Sequence, residues 1–185
     1  MKKILIILLF LLSINSYSQC VGPQSSTTTP NGPYQSGDIV TINYTLSSFY
    51  QMNVNWIHAI QINLGNGWVN LTPITAPGNP NGSAGSWVWD NQHTFPSGLN
   101  FGPGWRFIHA FTPYGTNSSG PFNISFTITV GQTCTPDNLS VSITIFGDCQ
   151  TGGWVNGACC NDPAFPVYTG NVQVTPIITS NINHY

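Results

Sequence analysis

Phe122, Ile124, Phe126, Ile128 and Val130 alternate without a break with Asn123, Ser125, Thr127 and Thr129. A period of two belongs to a pleated strand, whose successive side chains point to opposite faces, and not to a helix. The same repeat places Val40, Ile42, Tyr44 and Leu46 against Thr41, Asn43 and Thr45. It recurs with Leu139, Val141, Ile143 and Ile145 against Ser140, Ser142 and Thr144. Each run offers one face to a core and one to water. Further strands are expected at Val54–Leu64, Trp68–Leu71, Ser86–Asp90, Trp105–Phe111 and Asn171–Pro176, which are rich in β-branched and aromatic residues. Breakers separate them: Pro30-Asn31-Gly32-Pro33, Gly65-Asn66-Gly67, residues 77–85, Gly102-Pro103-Gly104 and residues 115–120. Leu64-Gly65-Asn66-Gly67-Trp68 reads as a tight hairpin. The expected fold is all-β, an antiparallel β-sandwich, Ig-like or jelly-roll-like, of about seven to nine strands.

Lys2 and Lys3 precede an apolar run from Ile4 to Leu12 that is short for a membrane span. With Ser16 and Ser18 in the small-residue positions of a cleavage site, residues 1–18 read as a signal peptide. The expected location is secreted or cell surface, with the periplasm as alternative, and nothing spans a membrane once the signal is removed. A lipid anchor on Cys20 competes, although Tyr17 stands where such a motif wants Leu. Residues 19–185 read as a single domain with a Cys/Gly-rich loop near 147–165. In an exported chain, Cys20, Cys134, Cys149, Cys159 and Cys160 are disulfide candidates before they are metal ligands. Cys149 with Cys159 or Cys160, and Cys20 with Cys134, are the preferred pairs, and the connectivity stays open.

Beyond the signal, Arg106 is the one Lys or Arg, against Asp38, Asp90, Asp137, Asp148 and Asp162. So little positive charge excludes a phosphate-neutralising surface, and with it nucleic-acid binding. The chain holds no Glu, no Gly-x-Ser-x-Gly and no His-Glu-x-x-His. An extracellular hydrolase is therefore the least favoured function. No cofactor is expected, calcium excepted: Asp148 and Asp162 flank the Cys-rich loop and offer hard oxygen ligands. Trp87 and Trp89 share one strand face and, with Trp154, are the candidate ligand-binding residues. Exposed, they would stack on sugar rings; packed inward, they belong to the core. Trp56-Ile57-His58-Ala59-Ile60 echoes Phe107-Ile108-His109-Ala110-Phe111. Strict alternation sets each His beside its aromatic neighbours, and adjacent strands would bring the imidazoles together. They read first as satisfied core histidines. No regular Thr-x-Thr repeat marks a lattice for ice or mineral.

The landmarks Asn55-Trp56-Ile57-His58, Gly67-Trp68, Trp87-Val88-Trp89, Gly102-Pro103-Gly104-Trp105 and Asp148-Cys149-Gln150-Thr151-Gly152-Gly153-Trp154 span most of the chain. In them the chain resembles uncharacterised secreted modules of Bacteroidetes, which often occur in large surface proteins. The resemblance implies an extracellular β-rich module without an established activity. The expected function is a secreted or cell-surface, non-enzymatic module for adhesion or extracellular assembly. Its partners would be other copies of itself, surface proteins or glycans, since a charge-poor surface does little to repel them. A carbohydrate-binding module using exposed Trp residues is the alternative.

Overall fold

The computed structural model describes residues 21–49, 56–80, 82–94, 100–112, 114–132, 139–148 and 165–168. Within them run eleven strands: β1 Gln24–Thr29, β2 Ile39–Leu46, β3 Ile57–Leu64, β4 Trp68–Thr75, β5 Gly85–Asp90, β6 His93–Thr94, β7 Asn100–Phe101, β8 Gly104–His109, β9 Phe122–Val130, β10 Val141–Gly147 and β11 Phe165–Tyr168. No helix occurs among the described residues. A four-stranded sheet in the order β1-β2-β9-β4 packs on a five-stranded sheet in the order β11-β10-β3-β8-β5. A short ribbon pairs β6 with β7. The antiparallel β-sandwich read from alternation is the fold.

The apolar positions of the three long repeats form its centre. Val40, Ile42, Tyr44 and Leu46 of β2, with Phe122, Ile124, Phe126, Ile128 and Val130 of β9, are all buried. They share one core with Ile60 and Ile62 of β3, Val141, Ile143 and Ile145 of β10, and Trp105 of β8. Burying such side chains contributes roughly 1.5–3 kcal/mol each before the entropy of ordering is subtracted. A smaller cluster of Ala59, Phe101 and Phe146 lies apart from it.

The turn at 65–67 reverses the chain but does not make a hairpin. β3 bonds to β10 and β8, whereas β4 bonds to β9 in the other sheet. Trp68 N–H donates to Gly65 O at 3.2 Å, so the turn is tight. Its flanks are tied to both layers, Gly65 N–H to Ser140 O at 2.8 Å and Gly131 N–H to Gly67 O at 2.7 Å. Turn residues specify a reversal; the partners of the flanking strands are chosen by the core. Several bounds also differ from expectation. β4 runs on to Thr75 because an edge strand tolerates Pro73. Asn70, at φ 55°, sits where the β4–β9 register shifts between Val69 and Thr72, the left-handed residue of a bulge. β8 ends at His109, short of Phe111. β1, β6, β7 and β11 lie outside the strands read from the sequence, and the strand expected at Asn171–Pro176 lies outside the described residues.

Gly104 marks the closest approach of β8 to β3. A Cβ there would lie 2.2 Å from Ile60 O and 2.9 Å from Gln61 Cα. Gly104→Ala is expected to push the two strands apart and cost about 1–3 kcal/mol, read as a lower urea midpoint. An unchanged midpoint would show that the β3–β8 seam yields freely.

Candidate functional site

The outward residues of the four-stranded sheet assemble into rows across its strands. Thr29, Thr41, Thr127 and Thr72 form one row, from β1 through β2 and β9 to β4. Thr27, Asn43, Ser125 and Thr75 form the next, in which Ser125 is itself buried, followed by Ser25, Thr45 and Asn123. On the other side of the Thr row stand Ile39, Thr129 and Val69. Rows repeat at about 6.6–6.8 Å along the strands, and side chains within a row at about 4.8 Å. Thr45 Oγ1 donates to Asn123 Oδ1 at 2.8 Å and Ser125 Oγ to Thr75 Oγ1 at 2.7 Å, so neighbouring strands knit the polar layer together. None of these side chains ionises. Ile39 is 63% exposed, Val69 43% and Ile74 57%, which adds an apolar margin beside the hydroxyls.

The outer side of the five-stranded sheet is different. Arg106 Nε and Nη2 donate to Asp90 Oδ2 at 3.2 and 3.0 Å. His93 Nδ1, on the ribbon, lies 3.8 Å from the same oxygen. The β3–β10 register steps from Phe146↔Ala59 to Gly147↔Ile57 and skips His58. This bulge breaks the alternation that set His58 on one face with Ile60. Ile57 joins Ile60 and Ile62 in the main core, Ala59 joins the small outer cluster, and His58 feels the charges of Asp148, Arg106 and His93. Burial, above all, lowers the His58 pKa from 6.5 to about 4. The echo with His109 is therefore not a shared site. β3 and β8 are neighbours, but Arg106 stands opposite Ala59. His109 instead accepts at Nδ1 from the N–H groups of Phe111 and Thr112, at 3.1 and 3.2 Å, closing the turn after β8.

Asp148 is buried and holds three segments together. Its Oδ1 accepts from Trp56 N–H at 3.2 Å, its Oδ2 from Gly115 N–H at 2.9 Å, and its own N–H donates to Trp56 O at 2.8 Å. Trp87 and Trp89 are partly buried against the main core. Trp87 meets Phe107 and Phe122 edge-on at 5.4 and 6.1 Å, and Trp89 meets Trp105 at 4.7 Å while its Nε1 donates to Asn91 Oδ1 at 2.9 Å. The pair lines the inner side of edge strand β5 and offers no open platform of two indoles. Trp154, Asp162 and all five cysteines, Cys20, Cys134, Cys149, Cys159 and Cys160, lie outside the described residues. Among the described residues no group of three His, Cys, Asp or Glu could hold a metal ion. No helix long and apolar enough to cross a membrane occurs among them. Comparison with protein-family models, curated proteins and solved structures finds no match to this chain.

Proposed function

We propose that the protein is an extracellular, non-enzymatic module for adhesion or assembly, and that it works through the outer face of its four-stranded sheet. The observation that carries this reading is the composition of that face: Ser, Thr and Asn in rows over four strands, edged by Ile39, Val69 and Ile74, without an ionisable group. A hydroxyl donates and accepts, so such a face meets neutral polar surfaces with no charge to desolvate. The export signal read at residues 1–18, and the resemblance to secreted Bacteroidetes modules, support an extracellular setting. Calcium near Asp148 and Asp162 has a weaker basis, because both Asp148 oxygens already receive backbone N–H groups.

The test places charge on the face with Thr41→Asp and Thr127→Asp, neighbours in one row. Self-association by light scattering and co-sedimentation with intact source cells are measured side by side. The wild-type chain should show at least one of them. The double variant, still folded by thermal unfolding, should lose it by tenfold or more, since a buried unpaired carboxylate costs well over the ~1.4 kcal/mol that a factor of ten requires. A strict monomer that ignores cells and turns over a substrate would replace this reading with an enzymatic one.

A further inference from the structure

Building on the adhesion-or-assembly reading of this face, we infer that its occupant is a neutral glycan chain and not a second copy of the protein. Three properties of the face select that partner. The first is charge: none of the row residues ionises, so nothing compensates the carboxylates or sulfates of an acidic polymer, and a neutral one loses no charge solvation on contact. The second is area. Four strands at about 4.8 Å and four rows at about 6.7 Å cover roughly 500 Å². Two copies face to face would bury roughly 1,000 Å² in total, below the ~1,200 Å² at which specific protein pairs begin. A few sugar units fit within one face, and a polymer repeats them.

The third property is shape. Strands in a sheet rotate by about 20–25° from one to the next, so four strands turn through roughly 60–75°. A rigid flat solid touches such a surface along one row only, whereas a flexible chain follows it. The chemistry of contact is also complementary. Thr and Ser hydroxyls and Asn amides bond in both senses, as sugar hydroxyls do, and the Thr methyls with Ile39, Val69 and Ile74 cover the C–H faces of a pyranose. No indole lies in these rows, since Trp87 and Trp89 pack on the core. Each contact is therefore weak, and retention comes from many units on one chain.

Native affinity electrophoresis of the purified full chain detects weak binding of this kind. Gels contain a mixed-linkage β-glucan, a glucomannan or a dextran, and one contains no polysaccharide. The expected result is slower migration in at least one neutral polysaccharide, roughly twofold where its concentration matches Kd. That retardation should persist when the salt concentration is raised several-fold. Replacing Thr41, Thr72 and Thr127 together by Val removes three hydroxyls of one row while keeping shape and strand preference, and should abolish the retardation. Ile108→Thr, on the five-stranded sheet, should leave it intact.

Retardation unchanged in the triple Val variant overturns the inference, because the glycan then binds elsewhere. So does the absence of retardation in every gel. If light scattering then shows self-association that Thr41→Asp with Thr127→Asp abolishes, the assembly reading stands without a glycan. If self-association and cell binding are absent as well, both fall together.

Discussion

Asp148→Ala is expected to remove about 2–5 kcal/mol of folding free energy, the largest effect of any single substitution considered. The Asp148 carboxylate answers two backbone donors at once, Trp56 N–H and Gly115 N–H, in a place where Asp148 is only 7% exposed. Truncation leaves both donors facing a small void. Each unsatisfied buried group costs about 1–3 kcal/mol, more than the hydrogen bond itself contributes, because water on the unfolded chain serves the donor fully. The junction has other ties. Thr116 N–H donates to Ile57 O at 2.9 Å and Trp56 packs edge-on against Tyr114 at 6.1 Å, so the segment from 114 to 116 should loosen without the sandwich coming apart. Asp148→Asn keeps one acceptor and presents an amide N–H to the other donor, which predicts roughly half the loss. Urea midpoints of the three chains test the order, and hydrogen exchange at the Trp56 and Gly115 amides tests the place. An alanine variant within about 0.5 kcal/mol of wild type would show that water reaches both donors.

The core was legible because β2, β9 and β10 each keep strict alternation, and their inward residues, from Val40 to Ile145, are buried as the period requires. β1 is illegible in the sequence for the opposite reason. Gln24 to Thr29 contains no apolar residue, so no periodicity marks it, and it exists only as the partner of β2. The turn at Gly65–Gly67 announced a reversal, but a local signal carries no information about which sheet receives the next strand. Alternation places His58 on the face of Ile60, whereas the bulge changes the phase of β3 without leaving a mark in composition.

The Thr-rich face shows the same limit in its sharpest form. Its residues were individually readable as outward, yet no Thr-x-Thr repeat runs along any one strand for long. The order lies across strands, where Thr29, Thr41, Thr127 and Thr72 meet from distant parts of the chain. Register between β2 and β9 creates that row, and register is a property of the packed core beneath it. The same inward side chains that make the fold recognisable thus align the outward ones, so that the proposed surface is a by-product of core pairing.

Between pH 7 and pH 4 the protein is expected to lose about 3 kcal/mol of stability through His58 alone. Burial lowers the pKa of this imidazole from 6.5 to about 4; Asp148 opposes the shift, while Arg106 and His93 reinforce it. In the unfolded chain the imidazole takes up its proton near pH 6.5, but the folded protein refuses it until about pH 4. Across that window the unfolded state binds more protons, so acid favours unfolding. The contribution is complete above pH 6.5, declines as the pH falls and is gone below the folded value. Arg106 and His93 both disfavour a proton on His58, and the Asp90 carboxylate that could offset Arg106 is bonded to it. Urea midpoints at pH 7, 5.5 and 4 should therefore fall steeply for the wild-type chain and much less for His58→Gln, which cannot take the proton. NMR titration of the imidazole gives the local readout. If the His58 resonance titrates near 6.5, or the variant loses as much stability in acid as the wild type, solvent reaches this side chain and the bulge does not bury it.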